Sequence, residues 1–387
     1  MDNIFDGKPS FELSHRPFFS IVVACYNSSK YLDTLLTSIV NQDLRDDIEL
    51  ILADDHSTEP YDDIVDKYKD KICIKRVITD YNFAPGNTRE KGCSVATGEW
   101  LCIADHDDKF LKGSLPKIKN LIIEKKEKYL CISDFVEALP EYDPKNPGGI
   151  LRRFHNNLNW NHGKFYNLDN LWRAFDIHYK KDFKSHEDIY ISSCINCCMK
   201  SLGLQPLFTD IPTYVWFAHK ESISRSKYVI EAKGRSFLET LFEDYITSTA
   251  GVYFDFYIRG VIKKEYAMNA CMDIIAYCYF YLSSFIFRDP DGWIKVNYEY
   301  CRELVRKTKF LFNLTNSDIW QYYAANNAAQ YKAVEKSAAI AAGPYIPFFT
   351  IGDFLIDLSP DDENARPSLN VSLENPSKNI NIRDKIQ

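Results

Sequence analysis

Three carboxylates within four residues follow an apolar segment of this sequence. The segment 100–104 has the length of a buried strand, and Asp105, Asp107 and Asp108 come directly after it. Grouped carboxylates repel one another unless a cation lies among them, and hard oxygen ligands favour Mg²⁺ or Mn²⁺. Residues two apart on an extended chain point to the same side, so we expect Asp105 and Asp107 to share one ion while Asp108 faces a neighbour. The alternative is an ordinary solvated acidic loop.

Polar or aromatic side chains also follow the first and second apolar segments of the chain. Asp54 and Asp55 come after the second segment, where either carboxylate could accept hydrogen bonds from a nucleotide base or a ribose. Tyr26 comes after the first segment and is placed to stack on a planar ring. Arg89, near the start of the helix predicted before the fourth segment, could meet a phosphate or a base.

The elements that must hold these side chains alternate along the first 135 residues. Five apolar segments have the length of buried parallel strands, and helical patterns separate them. The strands are predicted at 18–24, 48–53, 72–78, 100–104 and 129–133, and the helices at 30–40, 61–69, 87–96 and 115–126. This alternation predicts an α/β fold with a doubly wound, mostly parallel sheet and helices on both faces. Ligands of such sheets bind at the carboxyl ends of the strands.

The succession of these strand ends resembles the nucleotide-sugar-binding half of glycosyltransferase family 2, whose members have the GT-A fold. The order and spacing of the segments carry the resemblance over about residues 18–110. The matching segments are SIVVACYN, Asp54-Asp55-His56-Ser57, Arg89-Glu90-Lys91-Gly92, Ala96-Thr97-Gly98-Glu99-Trp100 and Asp105 to Asp108. One departure is Glu90, which replaces the Asn that usually follows the Arg.

The resemblance implies roles for the residues at these strand ends. Tyr26 and Asp55 would hold the uracil of a UDP-sugar, and Arg89 would help to position the nucleotide. The ribose and a Mn²⁺ or Mg²⁺ ion would be held by the acidic group after the fourth strand, namely Asp105, Asp107 and Asp108.

Two further segments resemble family motifs that act on the sugar. Asn161 to Tyr166 is similar to the family's His-Gly-Lys-aromatic segment, and its Lys164 would contact the nucleotide sugar. Glu187 and Asp188 resemble the Glu-Asp motif in which the Asp is the general base. In a single displacement at the anomeric carbon the acceptor hydroxyl must lose its proton, which suits Asp188, while Glu187 could orient the acceptor. The alternative is that both carboxylates only favour a helix N-terminus.

A basic part of the chain surrounds these motifs. Residues 151–235 carry 13 Lys and Arg against 8 Asp and Glu, which suggests an anionic ligand, although a solvated surface would explain it as well. In the segment that follows the aromatic stretch 214–217, His219 could be a metal ligand. Lys220 and Arg225 could neutralise a leaving diphosphate there.

These features favour a metal-dependent, inverting glycosyltransferase that moves a sugar from a UDP-sugar to a hydroxyl of a polysaccharide or another anionic polymer. A virus-encoded enzyme that glycosylates a hydroxylated base in DNA is an alternative, because the basic segment and the aromatic C-terminal part could meet a duplex. The net charge of −7 opposes that alternative. A non-catalytic nucleotide-sugar-binding scaffold is a third hypothesis. The chain has no P-loop and no GxGxxG after its first strand, which argues against kinases and dehydrogenases.

The length of 387 residues is enough for two domains, and 45% hydrophobic with 26% charged residues is typical of a globular protein. We expect an N-terminal extension at 1–17, a catalytic domain at 18–230 with halves at 18–135 and 136–230, a helical domain at 235–357 and an irregular tail at 358–387. The sequence has no recognisable secretory signal or membrane-spanning run, so we expect a cytoplasmic protein with reduced cysteines. The C-terminal helices could form a homo-oligomer.

Overall fold

The computed structural model of the protein describes residues 9–81, 84–139, 149–180, 183, 186–218, 247–285 and 293–325. The chain divides into two compact units, residues 1–274 and 275–387. A mixed sheet with flanking helices forms the first unit, and most of the described residues of the second unit lie in helices.

Among the described residues of the first unit, nine strands form one sheet. They are β1 (Phe19–Cys25), β2 (Ile48–Asp54), β3 (Cys73–Ile78), β4 (Trp100–Asp105), β5 (Lys109–Phe110), β6 (Leu130–Ala138), β7 (Ile150–Phe154), β8 (Lys164–Asn167) and β9 (Leu207–Phe217). The strand order is β3-β2-β1-β4-β8-β6-β9-β5, and β7 pairs with β6. The first four strands are parallel, whereas β8 is antiparallel to both β4 and β6. The predicted α/β fold with a mostly parallel sheet is confirmed in the half that carries the strand-end motifs.

Helices connect these strands and continue into the second unit. They are α1 (Leu32–Val40), α2 (Asp62–Asp66), α3 (Pro85–Ser94), α4 (Ser114–Lys125), α5 (Glu187–Leu202), α6 (Val252–Ile258), α7 (Lys264–Phe285), α8 (Trp293–Phe312) and α9 (Asn316–Ala325). A membrane-spanning helix, long and apolar enough for a bilayer, is not found among the described residues. The cysteines with described side chains are buried, and no disulfide joins them.

The parallel strands align the motif residues at one edge of the sheet. Every residue of β2 is buried, and β1 and β4 are buried along almost their whole length, as expected for strands covered on both faces. Their register pairs Cys25 with Asp54 and Ala24 with Asp105. The carboxyl ends of the three strands therefore lie side by side, which brings their polar side chains to one place.

The antiparallel half brings the His-Gly-Lys segment to the same edge. Strand β8 pairs Tyr166 with Leu101 of β4; residues 161–163 of the His-Gly-Lys segment precede the strand and its Lys164 begins it. Gly163 has a φ of +71°, and a Cβ atom at this position would lie 2.7 Å from the carbonyl oxygen of Ser133. Only glycine meets both conditions without strain, so the close turn before β8 depends on it.

The Ala-x-Gly-Glu segment has a packing role at the opposite edge. The backbone N–H of Gly98 donates to Glu49 Oε1 at 2.9 Å and to Ser20 Oγ at 2.8 Å. A Cβ atom on Gly98 would lie 2.6 Å from Ser20 Oγ and 2.8 Å from its backbone nitrogen. This part of the motif therefore packs the start of β4 against the buried carboxylate of Glu49. The contact lies at the opposite end of the strands from the predicted ligand site.

Candidate active site

The ends of β1 and β2 form the side of the site that the sequence predicts for the nucleotide. Tyr26, directly after β1, has 45% of its surface exposed. Asp55 is fixed beside it, because its backbone N–H donates to the carbonyl of Cys25 at 2.8 Å and its Oδ1 accepts from Thr79 Oγ1 at 3.2 Å. An exposed ring next to a fixed carboxylate can stack on a planar base and accept its hydrogen bonds.

The carboxylate of Asp54 stabilises the local fold through hydrogen bonds with neighbouring residues. Its Oδ1 accepts from the backbone N–H of Ser57 at 2.7 Å, and its Oδ2 accepts from Tyr61 Oη at 2.6 Å. The residue is buried, and both carboxylate oxygens already accept a hydrogen bond. Asp54 therefore has a structural role, and a contact of Asp55 with the nucleotide stays a prediction.

Arg89 on α3 joins the end of β4 to the start of α5. Its Nη2 donates to Asp105 Oδ1 at 2.7 Å, and its Nη1 donates to Glu187 Oε1 at 2.6 Å. The side chains of Arg89 and Glu187 are only 10% and 14% exposed, so each charge depends on its partner in a poorly solvated place. Although burial opposes ionisation, the nearby guanidinium lowers the pKa of Asp105. The acidic motif and the Glu-Asp motif therefore belong to one site.

A tight turn groups the carboxylates after β4. The backbone N–H of Asp108 donates to the carbonyl of Asp105 at 3.2 Å. Asp105, Asp108 and His162 each offer a ligand atom, and these atoms lie within 4.8 Å of one another. The expected extended geometry, in which Asp105 pairs with Asp107, is replaced by this turn, and the grouping found among the described residues does not include Asp107.

The donor set of this grouping fits a divalent cation. Asp108 Oδ1 accepts from the backbone N–H of Phe217 at 2.8 Å, whereas its buried Oδ2 has no hydrogen-bond partner in the described part of the chain. Burial and the charges of Asp107 and Asp105 raise the pKa of Asp108 well above its usual range. Burial lowers the pKa of His162 to about 4, so that its imidazole is neutral near pH 7 and has a lone pair to offer. A cation would satisfy the buried oxygen and relieve the repulsion among the carboxylates.

Asp188 lies in the first turn of α5, next to the residue that Arg89 holds. Its Oδ1 accepts from the backbone N–H of Ile189 at 2.8 Å. Burial raises the pKa of Asp188 to about 7 and the charge of Glu187 adds to the effect, whereas Arg89 and Lys164 oppose it. A carboxylate with a pKa near neutral can take a proton from a hydroxyl more effectively than an ordinary aspartate.

Lys164 is buried beside this helix rather than open to solvent. Its Nζ donates to the carbonyl of Leu158 and to Ser192 Oγ, both at 2.9 Å. Burial lowers the pKa of Lys164 to about 7, with Asp188 opposing that change. A contact of Lys164 with the nucleotide sugar stays a prediction. Three other predicted site residues lie outside the described part of the chain: His219, Lys220 and Arg225.

Two positions have roles that the sequence did not indicate. His162 joins the acidic turn, and the signal that could have identified it is its place one residue before the glycine of the His-Gly-Lys segment. Glu90, the departure from the family pattern, accepts from the backbone N–H of Tyr179 at 2.8 Å and contacts His178 Nδ1 at 2.7 Å. Glu90 therefore fixes the segment 178–179 to α3.

A mixed, mostly parallel sheet with an acidic turn after one of its parallel strands is typical of the GT-A class of sugar transferases. Residues 20–189 match the family model described as "Glycosyl transferase family 2". The chain contains a family 2 glycosyltransferase domain over this region, and the resemblance seen in the sequence is confirmed.

Curated relatives are similar to part of the chain. "Poly(ribitol-phosphate) beta-N-acetylglucosaminyltransferase TarS" of Staphylococcus aureus is 30% identical over 184 residues, which cover 44% of this chain and 31% of that protein. "Poly(ribitol-phosphate) beta-glucosyltransferase" of Bacillus spizizenii is 36% identical over 94 residues, covering 23% of this chain and 14% of that protein. The matched segments thus span about a third or less of these relatives.

Solved structures share the fold over a larger part of the chain. The crystal structure of S. aureus TarS 1-349 has a TM-score of 0.55 at 17% identity and covers 82% of this chain and 90% of that one. The same protein in complex with UDP-GlcNAc has a TM-score of 0.50 at 18% identity and covers 79% and 89%. At this level of identity the likeness establishes the fold alone.

Proposed function

We propose that this protein moves a sugar from a UDP-sugar to a hydroxyl group of an anionic polymer, with inversion at the anomeric carbon. The catalytic domain would comprise residues 18–230. The observation that carries the proposal is the double contact of Arg89, which links Asp105 in the acidic turn to Glu187 beside Asp188. This contact supports the proposal because Asp105, a candidate for the donor side, and Glu187, the neighbour of the proposed base, both bind the buried guanidinium of Arg89.

The donor would bind along the edge formed by β1, β2 and β4. Tyr26 would stack on the uracil and Asp55 would accept a hydrogen bond from it, because the first is exposed and the second is fixed beside it. The relatives are named as N-acetylglucosaminyl- and glucosyltransferases, which supports a UDP-linked hexose as the donor. Lys220 and Arg225 stay candidates for binding the diphosphate.

Asp105, Asp108 and His162 would hold the divalent cation, with Asp107 turned to the ribose and His219 as a further candidate ligand. The cation would neutralise the diphosphate as it leaves. An imidazole ligand favours Mn²⁺ over Mg²⁺, since Mg²⁺ prefers a shell of oxygen atoms.

Asp188 would act as the general base. As the acceptor oxygen forms its bond to the anomeric carbon, the bond from that carbon to the diphosphate breaks, and the hydroxyl proton passes to the carboxylate of Asp188. Attack from the face opposite the leaving group inverts the configuration. Glu187, held by Arg89, would orient the acceptor beside the base.

The acceptor class follows from charge and from the relatives. Residues 151–235 have an excess of five basic residues in a chain of net charge −7, and the relatives are named for poly(ribitol-phosphate). We therefore propose a polyol-phosphate polymer, or a similar anionic glycan, as the acceptor. The named relatives give no support to DNA as the acceptor.

The direct test is an assay of UDP release with UDP-GlcNAc or UDP-glucose, poly(ribitol phosphate) and Mn²⁺. We expect release that depends on the acceptor and stops with a chelator, and a product with β-linkages by NMR from the α-linked donor. Hydrolysis of the donor at the same rate without acceptor, or turnover in chelator, would contradict the proposal. Duplex DNA with hydroxylated bases, offered in place of the polymer, should give no transfer.

A further inference from the structure

Lys164 is a buried charge that the proposed chemistry does not use directly. It is the first residue of β8 and is 2% exposed, and its ammonium donates to acceptors on two different parts of the chain. A charged lysine is seldom buried without a reason, because the loss of hydration must be offset by hydrogen bonds or by a nearby opposite charge. The partners of Lys164 indicate what that reason is.

The contacts of Lys164 connect the segment 158–164 to α5. Nζ donates to the carbonyl of Leu158 in that segment and to Ser192 Oγ on the helix. Ser192 Oγ in turn donates to the carbonyl of Asn159 at 2.7 Å. These three hydrogen bonds form a continuous link, which we call the Lys164–Ser192 link, and its central contact between Lys164 Nζ and Ser192 Oγ is buried.

The Lys164–Ser192 link connects the helix that carries Asp188 to the segment that carries His162. Ser192 is four residues after Asp188 on α5, so both side chains lie on the same face of the helix. The segment 158–164 carries His162, whose imidazole lies in the grouping with Asp105 and Asp108. A shift of the segment 158–164 relative to α5 would change the distance between Asp188 and the grouping that contains His162.

We infer that Lys164 is a positioning residue for proton transfer, holding Asp188 at a fixed place relative to the acidic turn through the Lys164–Ser192 link. This inference rests on the proposed function. Displacement of a reacting group by about 1 Å can cost a large factor in rate, so the loss of the link is expected to reduce kcat more than donor binding. The ammonium also adds a positive charge on the helix face that carries Asp188.

The test compares Lys164→Met and Ser192→Ala with wild type and with Lys117→Met, which removes an exposed lysine from α4. UDP binding is measured by calorimetry in Mn²⁺, and kcat and KM by UDP release. We expect Lys164→Met to lower kcat by about tenfold or more while the Kd for UDP changes by less than about twofold. Ser192→Ala, which keeps the charge, should lower kcat by a smaller factor, and Lys117→Met should match wild type.

The pH profile separates positioning from simple packing. Asp188 is faced by the charges of Glu187, Arg89 and Lys164 and by the Tyr166 hydroxyl. Loss of the Lys164 cation should move the acid limb of the kcat profile to higher pH, which a mere loss of stability would not do.

An unshifted profile with unchanged kcat in both variants, or a large rise in the Kd for UDP with kcat unchanged, would overturn the inference. If Lys164→Met does not fold, wild-type kcat in Ser192→Ala is enough to overturn it. Absence of UDP binding and turnover in wild type would instead contradict the proposed function.

Discussion

Arg89 Nη1 lies 2.6 Å from Glu187 Oε1, although the two residues are 98 positions apart in the sequence. The contact connects α3 to the first residue of α5, next to the proposed base Asp188. The second guanidinium nitrogen of Arg89, Nη2, donates a hydrogen bond to Asp105 Oδ1 at 2.7 Å. One buried side chain thus sets the relative positions of the two carboxylates that the proposed reaction needs.

Replacement of Arg89 by Met should damage both stability and turnover. Removing one partner of a buried ion pair leaves the other charge without compensation, and we expect a loss of about 3–5 kcal/mol in the free energy of unfolding. Lys67→Met breaks an exposed pair with Asp33 and should cost at most about 1 kcal/mol. Denaturant unfolding of both variants checks the difference. Equal losses in the free energy of unfolding would show that the buried contacts of Arg89 stabilise the fold no more than an exposed ion pair does.

The alignment of strand ends was predictable from the sequence, whereas the contacts among them were not. Buried apolar runs determined where β1, β2 and β4 end, because parallel strands covered on both faces need continuous apolar residues. The residue types alone left Asp54 and Asp55 as alternatives, and only the family resemblance pointed to Asp55, since the hydrogen bond from Tyr61 to Asp54 depends on a turn that local patterns do not reveal. The place of His162 depends on the pairing of β8 with β4, a tertiary contact that local patterns do not contain.

The rate of transfer should depend on the ionisation of Asp188. Burial raises its pKa from 3.8 to about 7, so the carboxyl is protonated below that pH and cannot accept the hydroxyl proton. We therefore expect kcat to rise between about pH 6 and pH 8 and then to level off. A kcat profile measured at saturating donor and acceptor checks this prediction. A profile that is flat over this range, or that falls, would contradict it.

Removal of the His162 imidazole should weaken metal binding without preventing folding. His162 is the nitrogen donor of the grouping, so His162→Ala should raise the Kd for Mn²⁺ in the presence of UDP by about tenfold or more. The preference for Mn²⁺ over Mg²⁺ should also decrease, because the other two members of the grouping, Asp105 and Asp108, offer only oxygen atoms. Titrations followed by electron paramagnetic resonance measure both effects, with His15→Ala as the exposed histidine control. An unchanged Kd would remove His162 from the metal site.

Substitution of Gly98 by Ala should destabilise the sheet by overpacking. The added Cβ would lie 2.8 Å from the backbone nitrogen of Ser20 and 3.0 Å from the carbonyl carbon of Phe19, and we expect a loss of about 1–3 kcal/mol. Because these neighbours are backbone atoms, trimming the side chain with Ser20→Ala should not restore stability. Unfolding curves of the single and double variants test this. Recovery in the double variant would show that only the Ser20 hydroxyl is in the way.

The most direct measurement for the whole account is single-turnover transfer by Asp188→Asn, with bound UDP-sugar and saturating acceptor. The substitution keeps the shape of the side chain but removes the base, so we expect transfer to slow by about 10²–10⁴-fold while UDP binds as tightly as to wild type. Asp70→Asn, at an exposed position after α2, should behave as wild type. Transfer by Asp188→Asn at the wild-type rate would contradict the central claim that Asp188 removes the acceptor proton.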